Sequence, residues 1–338
     1  MKYLRPELDL PSATHALLLS DLHLGDGTAG DLFGQKDARL LSLLERELPR
    51  MDAVVLNGDI LDHQRTRTTR PIERAHPEVM AALRALPNAR PVYYVLGNHE
   101  DEAEVRAAFP EMHFVSALTV GRDLCVTHGH QLDLHWSEGA HAHFAAGLHA
   151  FLERRFRRPV RQPFRDYDNW LNRVVHISFF RYTQLLRLRG ALYRSVGRPA
   201  RYERWRRVDT FWARGQWGDI GGIFEEAARY LDNGAPFRTL VLGHTHNPGV
   251  VGSGRWTYAN LGSWALEQAS WGELTQGRVR VYCAATGREY GAERYREILL
   301  GRELPDMAGW FGRYYRGFFR YDVEAIARDF PADPSPRE

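Results

Sequence analysis

In the stretch Thr239-Leu240-Val241-Leu242-Gly243-His244-Thr245-His246, four strand-forming residues run straight into a glycine and two histidines. A four-residue apolar run that stops at a turn reads as a buried strand. The imidazoles beside the glycine then stand at the carboxyl end of that strand. The same pattern recurs upstream. His15–Leu19 leads into Asp21-Leu22-His23, and Ala53–Leu56 into Gly58-Asp59. Val92–Leu96 leads into Gly97-Asn98-His99-Glu100, and Leu124–Thr127 into His128-Gly129-His130. Any one of these pieces means little. Alone, Asp21, Asp59 or Asn98 reads as a turn residue or helix cap, and His128 or His244 as an ordinary hydrogen-bonded histidine. Five such pieces, spread over more than two hundred residues, read together as loops converging on one metal centre.

Helical patterns lie between the strands. Asp37–Leu48 sets Leu40, Leu41, Leu44 and Leu48 on one face, His76–Leu86 carries Pro77 at a helix start, and Asp219–Leu231 is closed by Gly234. Strands alternating with helices predict an α/β sheet whose site lies at the strand carboxyl ends. Beyond His246 the rhythm changes, and Trp256–Asn260 and Arg278–Tyr282 read as a β-meander of a second sheet. The stretch from about 140 to 216 breaks the alternation, with helical spacing from Trp170 to Arg189. The expected organisation is a core in two parts, 1–139 and 217–300. A basic, aromatic-rich helical cap is inserted at 140–216, and a carboxyl-terminal extension covers 301–338. The Pro- and charge-rich end, Pro331–Glu338, is expected to be disordered.

The chain has 338 residues, 44% of them hydrophobic, which suffices for a substantial core. No apolar run approaches the ~18–20 residues of a membrane span, and no signal-peptide pattern stands at the start. Cys125 and Cys283 are the only cysteines, too few for a disulfide framework or a thiolate zinc cage. The expectation is a cytosolic protein, with a peripheral place on the inner membrane surface left open. Net charge is +3, but it is unevenly spread. Between Glu153 and Arg214 there are seventeen Arg, no Lys and five acids, so the remainder is net negative, as a carboxylate-bearing metal site requires.

Phosphoesters resist hydrolysis because nucleophile and phosphate are both anionic. Two divalent cations about 3.5–4 Å apart relieve this by generating hydroxide at neutral pH, neutralising phosphoryl oxygens and holding the leaving oxygen. Such a pair needs carboxylate, imidazole and amide ligands with one carboxylate shared. The five pieces supply Asp21, His23, Asp59, Asn98, His128, His244 and His246. Mixed nitrogen and oxygen donors suit Mn2+ first, with Fe, Zn or Co as alternatives.

Asp-x-His, Gly-Asp-x-x-Asp, Gly-Asn-His-Glu, His-Gly-x and Gly-His-Thr-His, in this order, resemble the calcineurin-like metallophosphoesterase superfamily over residues 14–135 and 236–265. The resemblance implies a four-layer αββα sandwich. It implies that Asp21, His23 and His246 hold the first metal, that Asn98, His128 and His244 hold the second, and that Asp59 bridges them. His99 would polarise the phosphate or protonate the leaving oxygen as general acid. Asp62 fits the Gly-Asp-x-x-Asp piece, with His63 and Glu100 as supporting candidates. His135, His141, His143 and His149 form a loose group that reads as solvated helix positions.

Finer features resemble the branch that contains UDP-2,3-diacylglucosamine pyrophosphatases of lipid A biosynthesis. These are Ser20-Asp-Leu-His-Leu-Gly25, Thr127-His-Gly-His-Gln131, Gly243-His-Thr-His-Asn-Pro248 and Tyr258-Ala-Asn-Leu-Gly-Ser-Trp264. That branch carries Gly-Asn-Arg-Asp and His-Gly-Asp where this chain has Gly97-Asn-His-Glu100 and His128-Gly-His130. The expected substrate is therefore an anionic lipid-linked or nucleotide-sugar phosphodiester or pyrophosphate. A nuclease or cyclic-nucleotide phosphodiesterase, and a non-enzymatic metal-binding scaffold, stand as rivals. Nucleic acid is a partner only under the nuclease reading, and no protein partner is indicated. The clusters Arg154, Arg155, Arg157, Arg158 and Arg204, Arg206, Arg207 fit an anion-binding cap. The run Gly309–Tyr321 reads either as an interfacial helix, with Arg313, Arg316 and Arg320 on one face, or as a segment docked on the core.

Overall fold

In the computed structural model, the residues described are 4–28, 30–132, 151–152, 155–156, 170–198, 223–265, 269–290, 307–317 and 320–329. Two six-stranded mixed sheets lie face to face. The first contains β2 (Ala16–Leu19), β3 (Ala53–Asn57), β4 (Val92–Val95) and β5 (His113–Val115) as parallel neighbours. It is extended antiparallel beyond β2 by β11 (Ser270–Thr275) and β12 (Arg278–Cys283). The second has the order β1-β6-β7-β8-β10-β9. Its strands are β1 (Leu8–Leu10), β6 (Leu118–Val120), β7 (Leu124–Val126), β8 (Thr239–Leu242), β9 (Gly249–Gly252) and β10 (Thr257–Asn260).

Side-chain alternation sorts the layers. In β2 and β3, Ala16, Leu18, Ala53 and Val55 face the other sheet and meet Val126, Val241 and Ala259 in the inner core. Leu17, Leu19, Val54 and Leu56 point the other way. They are covered by α1 (Asp37–Glu47), α4 (Pro77–Ala89) and α5 (Glu102–Ala108), through Leu40, Leu44, Val79, Leu83 and Val105. The outer face of the second sheet, at Leu240, Leu242 and Tyr258, is covered by Ile223, Ala227 and Tyr230 of a further helix at Ile223–Asp232. This period-two split of apolar residues between two faces is what a strand buried on both sides must show. The layers run helix, sheet, sheet, helix, as expected.

Short α2 (His63–Thr66) and α3 (Thr69–Ala75) follow β3. The longest helix among the described residues, α6 (Trp170–Ser195), lies inside the expected cap. The expected cap boundaries at 140 and 216 fall outside the described residues. So do the histidines at 135, 141, 143 and 149 and the arginines at 154, 157, 158, 204, 206 and 207. The Ile223–Asp232 helix is α7 in chain order, and it ends before Gly234, whose φ is +86°.

The carboxyl-terminal run is not a single interfacial helix. α8 (Met307–Tyr314) stops at Tyr314 and the chain turns into a hairpin, β13 (Tyr315–Gly317) and β14 (Arg320–Tyr321), followed by α9 (Val323–Asp329). Trp310, Phe311, Tyr314 and Tyr321 are buried against one another, with Trp310 and Tyr321 ring centroids 4.9 Å apart. Arg313 and Arg316 pair with Asp329 and Asp322. The aromatics that would have sat at headgroup level form a small core of their own. Among the described residues no helix is long and apolar enough to cross a membrane.

Candidate metal centre

Each predicted ligand leaves the carboxyl end of a strand with a sharp change of direction. Asp21, His23, Asp59, His244 and His246 all have positive φ, between 52° and 64°. Non-glycine residues rarely adopt this region, and it costs on the order of 1–3 kcal/mol per residue. The surrounding hydrogen bonds enforce it. Asp21 N donates to Gly58 O, His23 N to Asp59 O, and Gly243 N to His128 O, each at 2.9 Å. Close approach also explains two of the glycines. A Cβ on Gly97 would collide with the Asp59 carboxylate, and one on Gly243 with Ser20 Oγ and Asp21 Oδ2.

The side chains then meet across the two sheets. His246 Nε2 lies 3.1 Å from Asp21 Oδ1 and 3.1 Å from His23 Nε2. His128 Nε2 lies 3.3 Å from Asp59 Oδ2 and 3.2 Å from Asn98 Oδ1. Three ligand groups result, each with its donor atoms within 4.8 Å of one another: Asp21 with His23 and His246; Asp59 with His128 and His244; and His23 with Asp59 and His99. Asp59 belongs to two of them. His128 Nδ1 donates to Asn57 O at 2.8 Å, which turns Nε2 toward the cluster.

The electrostatics match a site made for cations. Burial opposes ionisation of Asp21, yet His128, His23 and His246 hold its carboxyl far below the usual range. Burial opposes Asp59 likewise, and His128, His99 and His23 overcome it. Burial also resists a charge on His128, but the Asp59 and Asp21 carboxylates push its imidazole up to about 10. His23 is lowered, first by burial and then by His99 and His246 around it. Two fully ionised, buried carboxylates thus face imidazole nitrogens that crowd tip to tip. Positive charge among these tips satisfies both sets at once, and oxygen and nitrogen donors in this mixture fit divalent first-row ions.

Supporting residues complete the site. Ser20 Oγ donates to Asp21 Oδ2 at 2.5 Å and to Asn57 O at 2.7 Å. Asp62 accepts from His99 Nδ1 at 3.2 Å and pairs with Arg65 Nε at 2.9 Å. Burial would raise the Asp62 carboxyl, but His99 and Arg65 keep it at about 2. Glu100 accepts from the backbone N–H of Gly97 and Ile60, each at 2.8 Å, and from Leu61 N at 3.2 Å and Tyr94 OH at 2.5 Å. Burial and the Asp59 charge push the Glu100 carboxyl up to about 7. His63 turns away from the chemistry, with its ring nitrogens engaged by Asp101 N and Thr69 Oγ1. His130 lies beside His128 and His244, ring centroids 5.5 and 6.3 Å away.

Asn260 and the cluster of His76 with Asp31 and Asp37 escape sequence reasoning. Asn260 Nδ2 donates to Gly243 O at 2.6 Å, steadying the loop that carries His244 and His246. His76 bonds Asp31 Oδ2 at 2.9 Å and Asp37 Oδ1 at 2.8 Å. Only the Asn260 position carried a signal, as a polar residue ending a buried strand.

The sequence model of the calcineurin-like phosphoesterase family matches residues 14–248 of this chain. No curated protein matches it. Among solved structures, the chain is similar to the phosphoesterase Yfce from E. coli at 17% identity, covering 81% of this chain and 96% of that one with a TM-score of 0.37. It is similar to a dimetal phosphatase from Danio rerio at 15% identity, covering 80% and 95% with a TM-score of 0.37. It is also similar to Vacuolar Protein Sorting 29 from Cryptosporidium parvum at 15% identity, covering 82% and 94% with a TM-score of 0.36.

Proposed function

The chain belongs to the calcineurin-like phosphoesterase family and is a phosphoester hydrolase, and on that premise we propose that it cleaves a phosphodiester or pyrophosphate in an anionic lipid-linked or nucleotide-sugar substrate. The carrying observation is the position of Asp59, whose Oδ2 lies 3.3 Å from His128 Nε2, 3.8 Å from His23 Nε2 and 4.0 Å from His99 Nε2. One carboxylate in two neighbouring ligand groups is what a shared dinuclear centre needs. In this reading Asp21, His23 and His246 would hold one ion, Asn98, His128 and His244 would hold the other, and Asp59 would be shared between them. When bound, such a pair, with Mn2+ as first expectation, would supply a nucleophile at neutral pH and neutralise phosphoryl charge.

The chain's own residues do the rest. His99 is about one quarter exposed, whereas His23 and His128 are fully buried. It therefore stands on the solvent side of the cluster, where a phosphate would meet it. Its backbone N–H donates to Asp59 Oδ1 at 2.8 Å, which fixes the loop. Its Nδ1 is held by Asp62, and in this reading Nε2 gives a proton to the leaving oxygen. His246, also partly exposed, borders the same entrance.

The substrate class rests on the motifs shared with UDP-2,3-diacylglucosamine pyrophosphatases and on the Arg-rich stretch between the two core parts. In that reaction water attacks the α-phosphorus, releasing UMP and a lipid sugar 1-phosphate. The deciding experiment is UMP release from UDP-2,3-diacylglucosamine by the Mn2+-loaded protein, with His128→Ala as control. Release lost in the control supports the reading. Hydrolysis of an aryl phosphodiester without UMP release would keep the hydrolase and overturn this substrate, turning the search to other lipid or nucleic-acid phosphodiesters.

A further inference from the structure

The described side chains in the carboxyl-terminal half of α6 are largely exposed. Its first half is anchored, with Leu171, Asn172 and Ile177 buried. From Gln184 to Arg198, Gly190 is the only buried residue among those whose side chains are described, and Tyr193 is half-buried. Leu185, Leu188 and Leu192 are 65%, 68% and 61% exposed, and Val196, just past the helix end, is 57% exposed. At 3.6 residues per turn these four fall within an arc of about 80° along a strip of about 16 Å. Single exposed aliphatic residues are ordinary, but four aligned on one helical face form a surface that wants a partner.

Charge decides which partner. Between Trp170 and Arg198 the chain has six arginines and no Asp or Glu. Arg181 and Arg189 fall near the same face as the aliphatic strip and both are exposed, Arg181 donating to Tyr315 OH at 3.1 Å and Arg189 to Tyr193 OH at 3.4 Å. A second copy meeting this helix through its own strip would set guanidinium against guanidinium with no carboxylate on either helix to answer it. A nucleic acid would want stacking faces, and the strip offers branched aliphatic side chains. A bilayer with anionic headgroups answers both features: acyl chains take the aliphatic side chains, and lipid phosphates take the arginines.

We propose that the strip Leu185, Leu188, Leu192 and Val196, flanked by Arg181 and Arg189, docks the protein onto an anionic lipid surface. The proposal goes beyond the hydrolytic reading and does not depend on it, because attachment is measured without turnover.

The test uses the full chain and sedimentation with large vesicles of phosphatidylcholine and phosphatidylglycerol at a ratio of about 3:1, against phosphatidylcholine alone. The variant carries Leu185→Glu, Leu188→Glu and Leu192→Glu. All three positions are exposed, so melting temperature and hydrolysis of a small soluble aryl phosphodiester should match the parent. The parent is expected to pellet with the anionic vesicles. The variant's partition coefficient should fall about tenfold or more. Arg181→Gln with Arg189→Gln should weaken the binding less and remove part of its salt dependence. A parent that stays in the supernatant, pellets equally with neutral vesicles, or pellets no better than the folded triple variant would overturn the proposal. A concentration-dependent dimer lost in that variant, without vesicle binding, would assign the strip to a second copy and also overturn it.

Discussion

At the residue scale, the site is built where the backbone is least comfortable. Five of the seven proposed ligands have positive φ, so each of these positions carries a Cβ penalty that the surrounding hydrogen bonds hold in place. His246 tests this directly, since its side chain is 29% exposed and its loss opens little core. His246→Gly and His246→Ala should both lose activity. In the metal-free protein the glycine variant should be the more stable of the two by about 1 kcal/mol, because glycine accepts φ near 60° without strain. Denaturant melts of the pair measure it, and equal midpoints would show that the position is not strained. His99 carries a different expectation. With Nδ1 tied to Asp62, His99→Ala should keep metal stoichiometry and lower kcat by about 10²–10⁴-fold, as loss of a general acid does. Metal analysis with steady-state kinetics separates this from a lost ligand. The ligand pieces were legible in the sequence because each writes its chemistry in adjacent residues, Asp21 next but one to His23 and His244 next but one to His246. Asp31 and His76, or Asn260 and Gly243, were not, because such pairs meet only after the chain has folded.

At the scale of elements, the loops after β3 and β4 act as one unit because Glu100 binds both. It accepts from Ile60 and Leu61 on one loop and from Gly97 on the other. Glu100→Gln keeps the volume but replaces one acceptor oxygen with an NH2 donor. Metal affinity or turnover should fall by about 10–100-fold, as when a group that orients a ligand is lost. Titration calorimetry and kinetics would register it, and unchanged values would make Glu100 a spectator. A second junction joins α1, the loop before it and the start of α4 through His76. Burial disfavours a charged His76, but hydrogen bonds to Asp31 and Asp37 raise its pKa above the ordinary 6.5. Burial likewise works against Asp31, whose pKa is nonetheless lowered by His76 and by backbone N–H groups of Gly27 and Gly34. The imidazolium contribution to stability is therefore full below pH 6.5. It is lost as pH rises through the raised folded value. The Asp31 contribution is present above pH 3.8 and fails as pH falls through its depressed value. Melting temperatures of the parent and His76→Gln from pH 5 to pH 9 should differ most at the acid end and converge toward the alkaline end. A gap independent of pH would sink the argument. The helices α1, α4, α6 and α7 and the central strands were legible from periodicity, whereas the short helices α2, α3, α5 and α9 were not expected. β1, β5, β6, β9 and β11 were not expected, and the three-residue strands among them gain their identity only by pairing with distant neighbours.

At the scale of the whole molecule, the centre doubles as a clamp between sheets. Asp21, His23, Asp59 and Asn98 follow strands of the first sheet, whereas His128, His244 and His246 follow strands of the second. Charges that meet there must be separated whenever the sandwich opens, so cations bound to the folded state resist unfolding of both layers together. The inner core between the sheets is built largely from small and medium aliphatic residues, among them Ala16, Ala53, Val55, Val126, Val241 and Ala259. Such a core allows close approach but leaves the open end near the ligands to be held by polar contacts. Mn2+ at about 100 times its dissociation constant should therefore stabilise the protein by about 2.7 kcal/mol per independent site, seen as a higher melting temperature that a chelator reverses. Asp59→Ala should lose most of this gain, because Asp59 reaches histidines from both sheets, His23 at 3.8 Å and His128 at 3.3 Å. Asp62→Ala should keep it, because Asp62 orients His99 without linking the sheets. An equal Mn2+ shift in the parent and Asp59→Ala would mean that the ions bind without a shared carboxylate. A shift lost in Asp59→Ala but kept in Asp62→Ala would show that the shared carboxylate is what ties the ions to the folded sandwich.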